Sequence, residues 1–148
     1  MGTTILQADL TQINLVAPLF DAYRIFYGQA SDLSKATAFL KERITKEQSV
    51  IFLALTDGNP SGFTQLYTSF SSVSMQPLLI LNDLYVDAKY RNMGIGSELL
   101  NHAKNYCKKL KYKGLSLETA IDNPAQKLYE KLDWKKDTDC FHYFWTAG

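Results

Sequence analysis

Apolar residues recur along this chain with two different periods, and the change of period maps its elements. Alternation at 5–10 reads as a short first strand. Ile13, Val16, Phe20, Tyr23 and Tyr27 then recur at helical spacing, and Gly28 ends that helix. A second helix is predicted over 32–46. Leu33, Ala36, Phe39, Leu40 and Ile44 form its apolar face, and Ser31 is its N-cap. The period next drops to two. VIFLALT at 50–56 is a strand, DGNPSG is a turn, and GFTQLYTSF at 62–70 returns as the antiparallel hairpin partner. After a polar loop at 71–77, LLILNDLYV at 78–86 is apolar on both faces, as a strand covered on two sides would be.

The second half repeats the alternation of element types. Ile95, Leu99, Ala103, Tyr106 and Leu110 stripe a helix that runs to about Lys109. GLSLETA at 114–120 is a strand. Asn123 and Pro124 form an N-cap and first-turn pair for the helix AQKLYEKL, with Leu128 and Leu132 facing inward. Asp133 takes a left-handed cap before Trp134. CFHYFW at 140–145 is the last strand, and it either fills the core or pairs across a two-fold axis in a homodimer. The pattern predicts a single α/β domain over 1–148, with a mixed, mainly antiparallel central sheet flanked by helices.

Charge changes this picture little. With 16 basic and 15 acidic residues the net charge is +1. That balance exerts no general attraction for nucleic acid or an anionic membrane. The lysine-rich run KNYCKKLKYK at 104–113 suits either a solvated helix tail or an anion-attracting rim. No apolar run approaches the roughly 20 residues that span a bilayer, and the N-terminus lacks the pattern of a leader peptide. Leu6 stands where an acylation signal on Gly2 needs Ser or Thr. Two cysteines suit a reducing compartment, so the cytoplasm is expected. His102 and His142 have no ligand-like spacing, and no metal is expected.

One short stretch carries chemistry. Between the strand at 78–86 and the following helix lies Arg91-Asn92-Met93-Gly94-Ile95-Gly96. Glycine inside a helix costs about 0.5–1 kcal/mol, so two at its mouth need a reason. A helix N-terminus exposes unpaired amides and the positive end of the dipole. Glycines let a phosphate approach that backbone, and Arg91 adds charge at the rim. The same glycines also suit a plain tight turn. The spacing is neither GxxxxGK[ST] nor the three-glycine dinucleotide fingerprint.

This stretch, together with LNDLYV before it and LETAIDNPAQKLYEKLDW after it, resembles the signature of the GNAT (Gcn5-related N-acetyltransferase) superfamily over essentially the whole chain. GFTQLY, LNDLYV and GIGSELL are also similar to the branch with diamine and thialysine acetyltransferases. The resemblance implies the acyl-CoA N-acyltransferase fold, acetyl-CoA as co-substrate, and a small-molecule primary amine as acceptor. The amine would be a diamine, an amino acid or a related metabolite that attacks directly in a ternary complex. It further implies that Arg91 and the backbone from Asn92 through Met93, Gly94 and Ile95 to Gly96 hold the pyrophosphate. Leu84, Tyr85 and Val86 would pair with pantetheine amides where the fourth and fifth strands part. Asn123 would contact pantetheine, and Tyr129 would protonate the departing thiolate.

The chain departs from the family at the base. A glutamate of polyamine-type relatives appears here as Asn82, which takes no proton. Asp83 is adjacent but, on a regular strand, faces the opposite way. Asp83 and Glu118 are the candidates for base or ammonium partner, beside a water path with no dedicated base. Asp122 and Asn123 compete for the family's asparagine position. Tyr23 and Tyr27, one turn apart, together with Asp32 would hold a small cation; alternatively both rings are core and Arg24 and Asp32 are solvated. The rival readings are a non-catalytic acetyl-CoA-binding regulator, motivated by Asn82, and a protein or peptide N-acetyltransferase.

Overall fold

β1 (Thr3–Gln7) is cut short by a reciprocal cap rather than continuing to Leu10. The Asp9 carboxylate accepts from the Thr11 amide (2.8 Å), and Gln12 accepts from the Asp9 amide (2.7 Å). The two bonds wind Leu10–Gln12 into a single 3-10 turn. α1 (Ile13–Phe26) follows, then α2 (Leu33–Thr45). Ser31 is not the cap of α2, because its hydroxyl is committed to Asp21 Oδ2 (2.6 Å). The Asp32 amide donates to the other oxygen of Asp21 (2.8 Å), and the Asp32 side chain caps α2 by accepting from the Lys35 amide (3.0 Å). These donors hold the Asp21 carboxyl below its ordinary range, the Ser31 hydroxyl first.

The structure is a computed structural model that describes residues 2–148, which form two compact units divided after Glu118. The first unit carries a five-stranded sheet in the order β1-β2-β3-β4-β5. β2 (Ser49–Thr56), β3 (Asn59–Ser71) and β4 (Gln76–Val86) pair antiparallel, as does β1 with β2. Helices cover both faces. Ile51, Leu53 and Phe63 join Val16, Phe20, Ala36 and Leu40 in a core under α1 and α2. Phe52, between two of those residues, points the other way and meets His102 and Tyr106 of α3 (Ile95–Leu110) edge-on. Alternate residues of one strand thus serve two cores, which is why β2 reads as a continuous apolar run.

Gly62 sits where β3, β4 and α3 converge. A Cβ there would lie 2.8 Å from the Tyr85 carbonyl oxygen and 3.3 Å from Leu99 Cδ1. The backbone oxygen cannot move without disturbing the β3–β4 ladder, so only glycine fits.

β5 is far shorter than the expected 114–120: only Leu115–Ser116 pair, parallel to β4 at Leu79 and Ile80. Immediately beyond that pairing, the register of β4 against β3 shifts. Gln65 pairs with Asp83 and Leu66 with Leu81, which leaves Asn82 as an extra residue. The Asn82 carbonyl accepts from the Tyr23 hydroxyl (3.1 Å). Leu84, Tyr85 and Val86 therefore extend past the end of β5 pairing.

The second unit, Thr119–Gly148, contains one helix, α4 (Gln126–Lys131). Asn123 starts its turn by accepting from the Ala125 amide (2.9 Å), and Asp133 closes it in the left-handed conformation (φ 68°). The last strand expected at 140–145 is corrected: no strand forms among the described residues of this unit, and Phe141, Tyr143, Phe144 and Trp145 are each more than 80% exposed. Aromatic strand propensity is realised only against a neighbouring edge and a core face.

Gly62→Ala should lower unfolding stability by about 1–3 kcal/mol, the usual cost of forcing atoms into a packed site. Urea denaturation followed by far-UV circular dichroism checks it, and an unchanged midpoint would contradict the close approach.

Candidate active site

The bulge at Asn82 controls the orientation of its neighbour. On a regular strand Asn82 and Asp83 would face opposite sides. With Asn82 extruded, both border one cavity beneath α1 and α2, which corrects the expectation that Asp83 faces away. Asp83 is only 2% exposed. Its Oδ2 accepts from Gln65 Nε2 (2.6 Å) and its Oδ1 from Asn82 Nδ2 (2.7 Å). Thr64 fixes the backbone, donating its hydroxyl to the Asp83 carbonyl (2.7 Å). Gln65 commits its amide donor so completely that its own buried oxygen has no hydrogen bond, a cost of about 1–3 kcal/mol.

The hydrogen-bond partners of the Asp83 carboxylate are neutral donors. Asp83 is in no ion pair among the described residues. Burial pushes the Asp83 carboxyl above its ordinary range, while Asn82, Gln65 and the Tyr23 hydroxyl pull it partly back. The phenols alongside move upward too. Tyr67 is pushed up to about 12 by burial and then by the Asp83 charge. Tyr23 is raised further by the same two causes. Both therefore stay neutral near pH 7, offering O–H groups and ring faces to a cation beside Asp83.

The cavity measures about 320 Å³. Phe20, Tyr23, Phe39 and Tyr67 wall it, Asp83 and Asn82 close one side, and Arg24 and Lys35 also line it. A neighbouring groove of about 630 Å³ shares Phe39 and Tyr67 and adds Arg43 and Phe70.

β4 leads from this cavity to the second feature. After Val86 the Asp87 carboxylate accepts from the Lys89 amide (2.9 Å) and forms a short turn. Asn92 (φ 63°) and Gly94 (φ 79°) then adopt left-handed backbone, and α3 begins at Ile95. No side chain caps Gly94, and nothing lies within 4 Å of the position a Cβ would take there. The loop thus presents first-turn amides across open space, which fits an anion with several oxygens. Arg91 is anchored at the same place: its Nε donates to the Val86 carbonyl (3.0 Å) and its guanidinium lies over the Tyr85 ring.

Of the predicted acceptor residues, Tyr23, Asn82 and Asp83 come together. Tyr27 and Asp32 do not, and both are corrected. Tyr27 packs edge-on against Tyr23 (5.0 Å) but is half exposed and outside the cavity lining. Asp32 is occupied as the α2 cap. Glu118 lies beyond β5 and lines neither the cavity nor the groove. Asn123 and Tyr129 belong to the second unit, where the Tyr129 ring stands 6.0 Å from that of Trp134. Sequence reasoning missed Gln65, Tyr67, Phe39 and Lys35. A signal existed for two of them: Gln65 and Tyr67 share a strand face in GFTQLYTSF, and a glutamine inside an apolar strand demands a buried polar partner.

A helix-covered mixed sheet, with an uncapped helix N-terminus following the strand that carries a buried carboxylate, is the arrangement of the acyl-CoA N-acyltransferases. Residues 16–134 match the acetyltransferase (GNAT) family, and the chain belongs to that family. Over 93% of both chains it is 47% identical to the Bacillus subtilis (strain 168) protein called uncharacterized N-acetyltransferase YhfO. It is 28% identical to a probable acetyltransferase of Haemophilus influenzae, over 84% of this chain and 94% of that one. The crystal structure of a probable acetyltransferase superposes with a TM-score of 0.92, at 38% identity and 98% coverage of both chains. The protein is an N-acetyltransferase of a family whose enzymes use acetyl-CoA as co-substrate.

The raised Asp83 carboxyl makes a stability prediction. The folded state retains this proton to higher pH than the unfolded chain, so ionised Asp83 opposes folding at neutral pH, and the penalty fades as pH falls through the folded value toward 3.8. The Tm of Asp83→Asn relative to the parent should therefore rise between about pH 4 and pH 7. A difference that is flat or falls with pH would contradict the shift.

Proposed function

We propose that the enzyme transfers the acetyl group of acetyl-CoA to a primary amine of a small molecule, by direct attack in a ternary complex. The observation that carries this reading is the buried Asp83 carboxylate, held by neutral donors alone in a cavity walled by aromatic rings. An alkylammonium placed there offsets the uncompensated charge and lies against the rings of Tyr23 and Tyr67. The amine must lose a proton whose ordinary pKa is near 10.4 before it attacks. Asp83 accepts it, and burial supports that role by raising the carboxyl's proton affinity. Asn82 replaces the family glutamate in sequence, but through the bulge it becomes a donor that orients Asp83. A cavity of about 320 Å³ lies at the small end of ligand sites, which favours a metabolite over a peptide.

The backbone from Asn92 to Gly96, with Arg91, would hold the pyrophosphate of acetyl-CoA, and the uncapped, left-handed entry to α3 supports this. Leu84, Tyr85 and Val86 would meet the pantetheine amides along the strand that outruns β5. The co-substrate supplies the activated acetyl thioester. Asn123 and Tyr129 keep the roles the family pattern implies, pantetheine contact and proton donation to the thiolate; the family match through residue 134 supports them and the reading of 1–148 as one catalytic domain. Free Cys107 and Cys140 support the cytoplasm as its location. The exposed aromatics at 141–145 support a homodimer.

Thiol release from acetyl-CoA with a panel of small amines tests the reading. Asp83→Asn should lower kcat/KM by about 10²–10⁴-fold. Tyr129→Phe should lower kcat while leaving acetyl-CoA affinity near the parent's. Full activity in Asp83→Asn would overturn the base assignment, and full kcat in Tyr129→Phe the acid assignment.

A further inference from the structure

The cavity that holds Asp83 has unlike charges in its lining. Asp83 is its only acidic side chain, and the remaining charged groups are Arg24, from the last turn of α1, and Lys35, from the first turn of α2. Neither cation forms an ion pair among the described residues. Asp21, whose charge interacts with Arg24, is outside the lining and already accepts from the Ser31 hydroxyl and the Asp32 amide. Arg24 itself makes one long bond, from Nη1 to the Ala30 carbonyl (3.4 Å). The groove that continues past Phe39 and Tyr67 adds no net positive charge: Arg43 is stacked on the Phe39 ring and paired with Glu42, and Glu47 lines the groove beside it.

From this we infer that the acceptor is a primary amine with an anionic group at its far end, of the amino-acid type, and that Arg24 and Lys35 select it over a diamine. The inference rests on the N-acetyltransferase reading and sharpens its acceptor. The ammonium goes to Asp83, where a negative charge on the protein side is held by neutral donors alone. The other end of a compact ligand then meets Arg24 and Lys35. A carboxylate or phosphonate completes charge-assisted hydrogen bonds there. The second ammonium of a diamine brings a like charge against the two cations of the lining, and like-charge juxtaposition is a strong device against a wrong partner. Tyr23, Phe39 and Tyr67 provide apolar walls for the methylene chain between the two ends.

The test compares acceptors of one length that differ only in the far group: 5-aminopentanoate, 4-aminobutylphosphonate, pentylamine and 1,5-diaminopentane. Initial rates are measured with the parent, Arg24→Gln, Lys35→Gln and the double variant. Thermal denaturation confirms that each is folded. The anionic amines should exceed the diamine in kcat/KM by about tenfold or more in the parent. That ratio should collapse toward one in the double variant, mainly through KM for the anionic amines. The carboxylate and phosphonate arms show which anion fits. A diamine that performs as well as the anionic amines in the parent would overturn the inference while leaving the acetyltransferase reading intact. So would a preference that survives the double substitution. Turnover of no amine in the series by the parent would fall on the acetyltransferase reading, and the inference would fall with it.

Discussion

One unpaired residue in β4 decides where the chemistry sits. Asn82 is extruded between the pairs Gln65–Asp83 and Leu66–Leu81, and that extra residue rotates Asp83 into the space beneath α1 and α2. Without it the carboxylate would face α3 and the apolar core around Leu99 and Ala103. The same irregularity directs the Asn82 carbonyl to the Tyr23 hydroxyl, and β5 pairing stops just before it. The carboxylate cavity and the uncovered end of β4 thus have one structural origin.

Burying an unpaired carboxylate is costly, and the surroundings show how the fold offsets it. Gln65 and Asn82 each donate to one oxygen, Tyr23 lies close by, and Thr64 holds the backbone. Gln65 leaves its own oxygen without a hydrogen bond to do so. Four neutral groups are arranged around one charge, while no cation forms an ion pair with it. In a domain whose net stability is only about 5–15 kcal/mol, such a site persists because two apolar cores brace the sheet around it. The residual charge is what a cationic ligand would neutralise, so stability lost in the empty fold becomes affinity for an amine.

Much of the fold was legible in the sequence because its periods are clean. The stripes of α1 and α3, the β2–β3 hairpin and the two-faced burial of β4 follow from side-chain spacing alone. Arg91 to Gly96 was legible because left-handed backbone at Gly94 leaves few residue types to choose from. Asp83 was read with the wrong orientation, since strict alternation fails at a bulge and nothing local announces one. Tyr27 and Asp32 were drawn into the site by proximity in sequence, yet Asp32 was needed to cap α2 once Ser31 turned to Asp21. The run CFHYFW has strand composition, but a strand is a property of a pair, and composition does not name the partner. Lys35 escaped notice and Arg24 was read as solvated, because cations on helices resemble solvated charge until a cavity is seen beside them.

The central claim is that Asp83 is a buried carboxylate awaiting a cation. Its side-chain carboxyl ¹³C resonance, assigned by its loss in Asp83→Asn, can be titrated with and without saturating 5-aminopentanoate. The account predicts a midpoint above the ordinary 3.8 in the free enzyme, and a midpoint moved down when the ammonium is bound, because an adjacent positive charge favours the ionised form. A midpoint at or below the ordinary value that the amine leaves unchanged would contradict it.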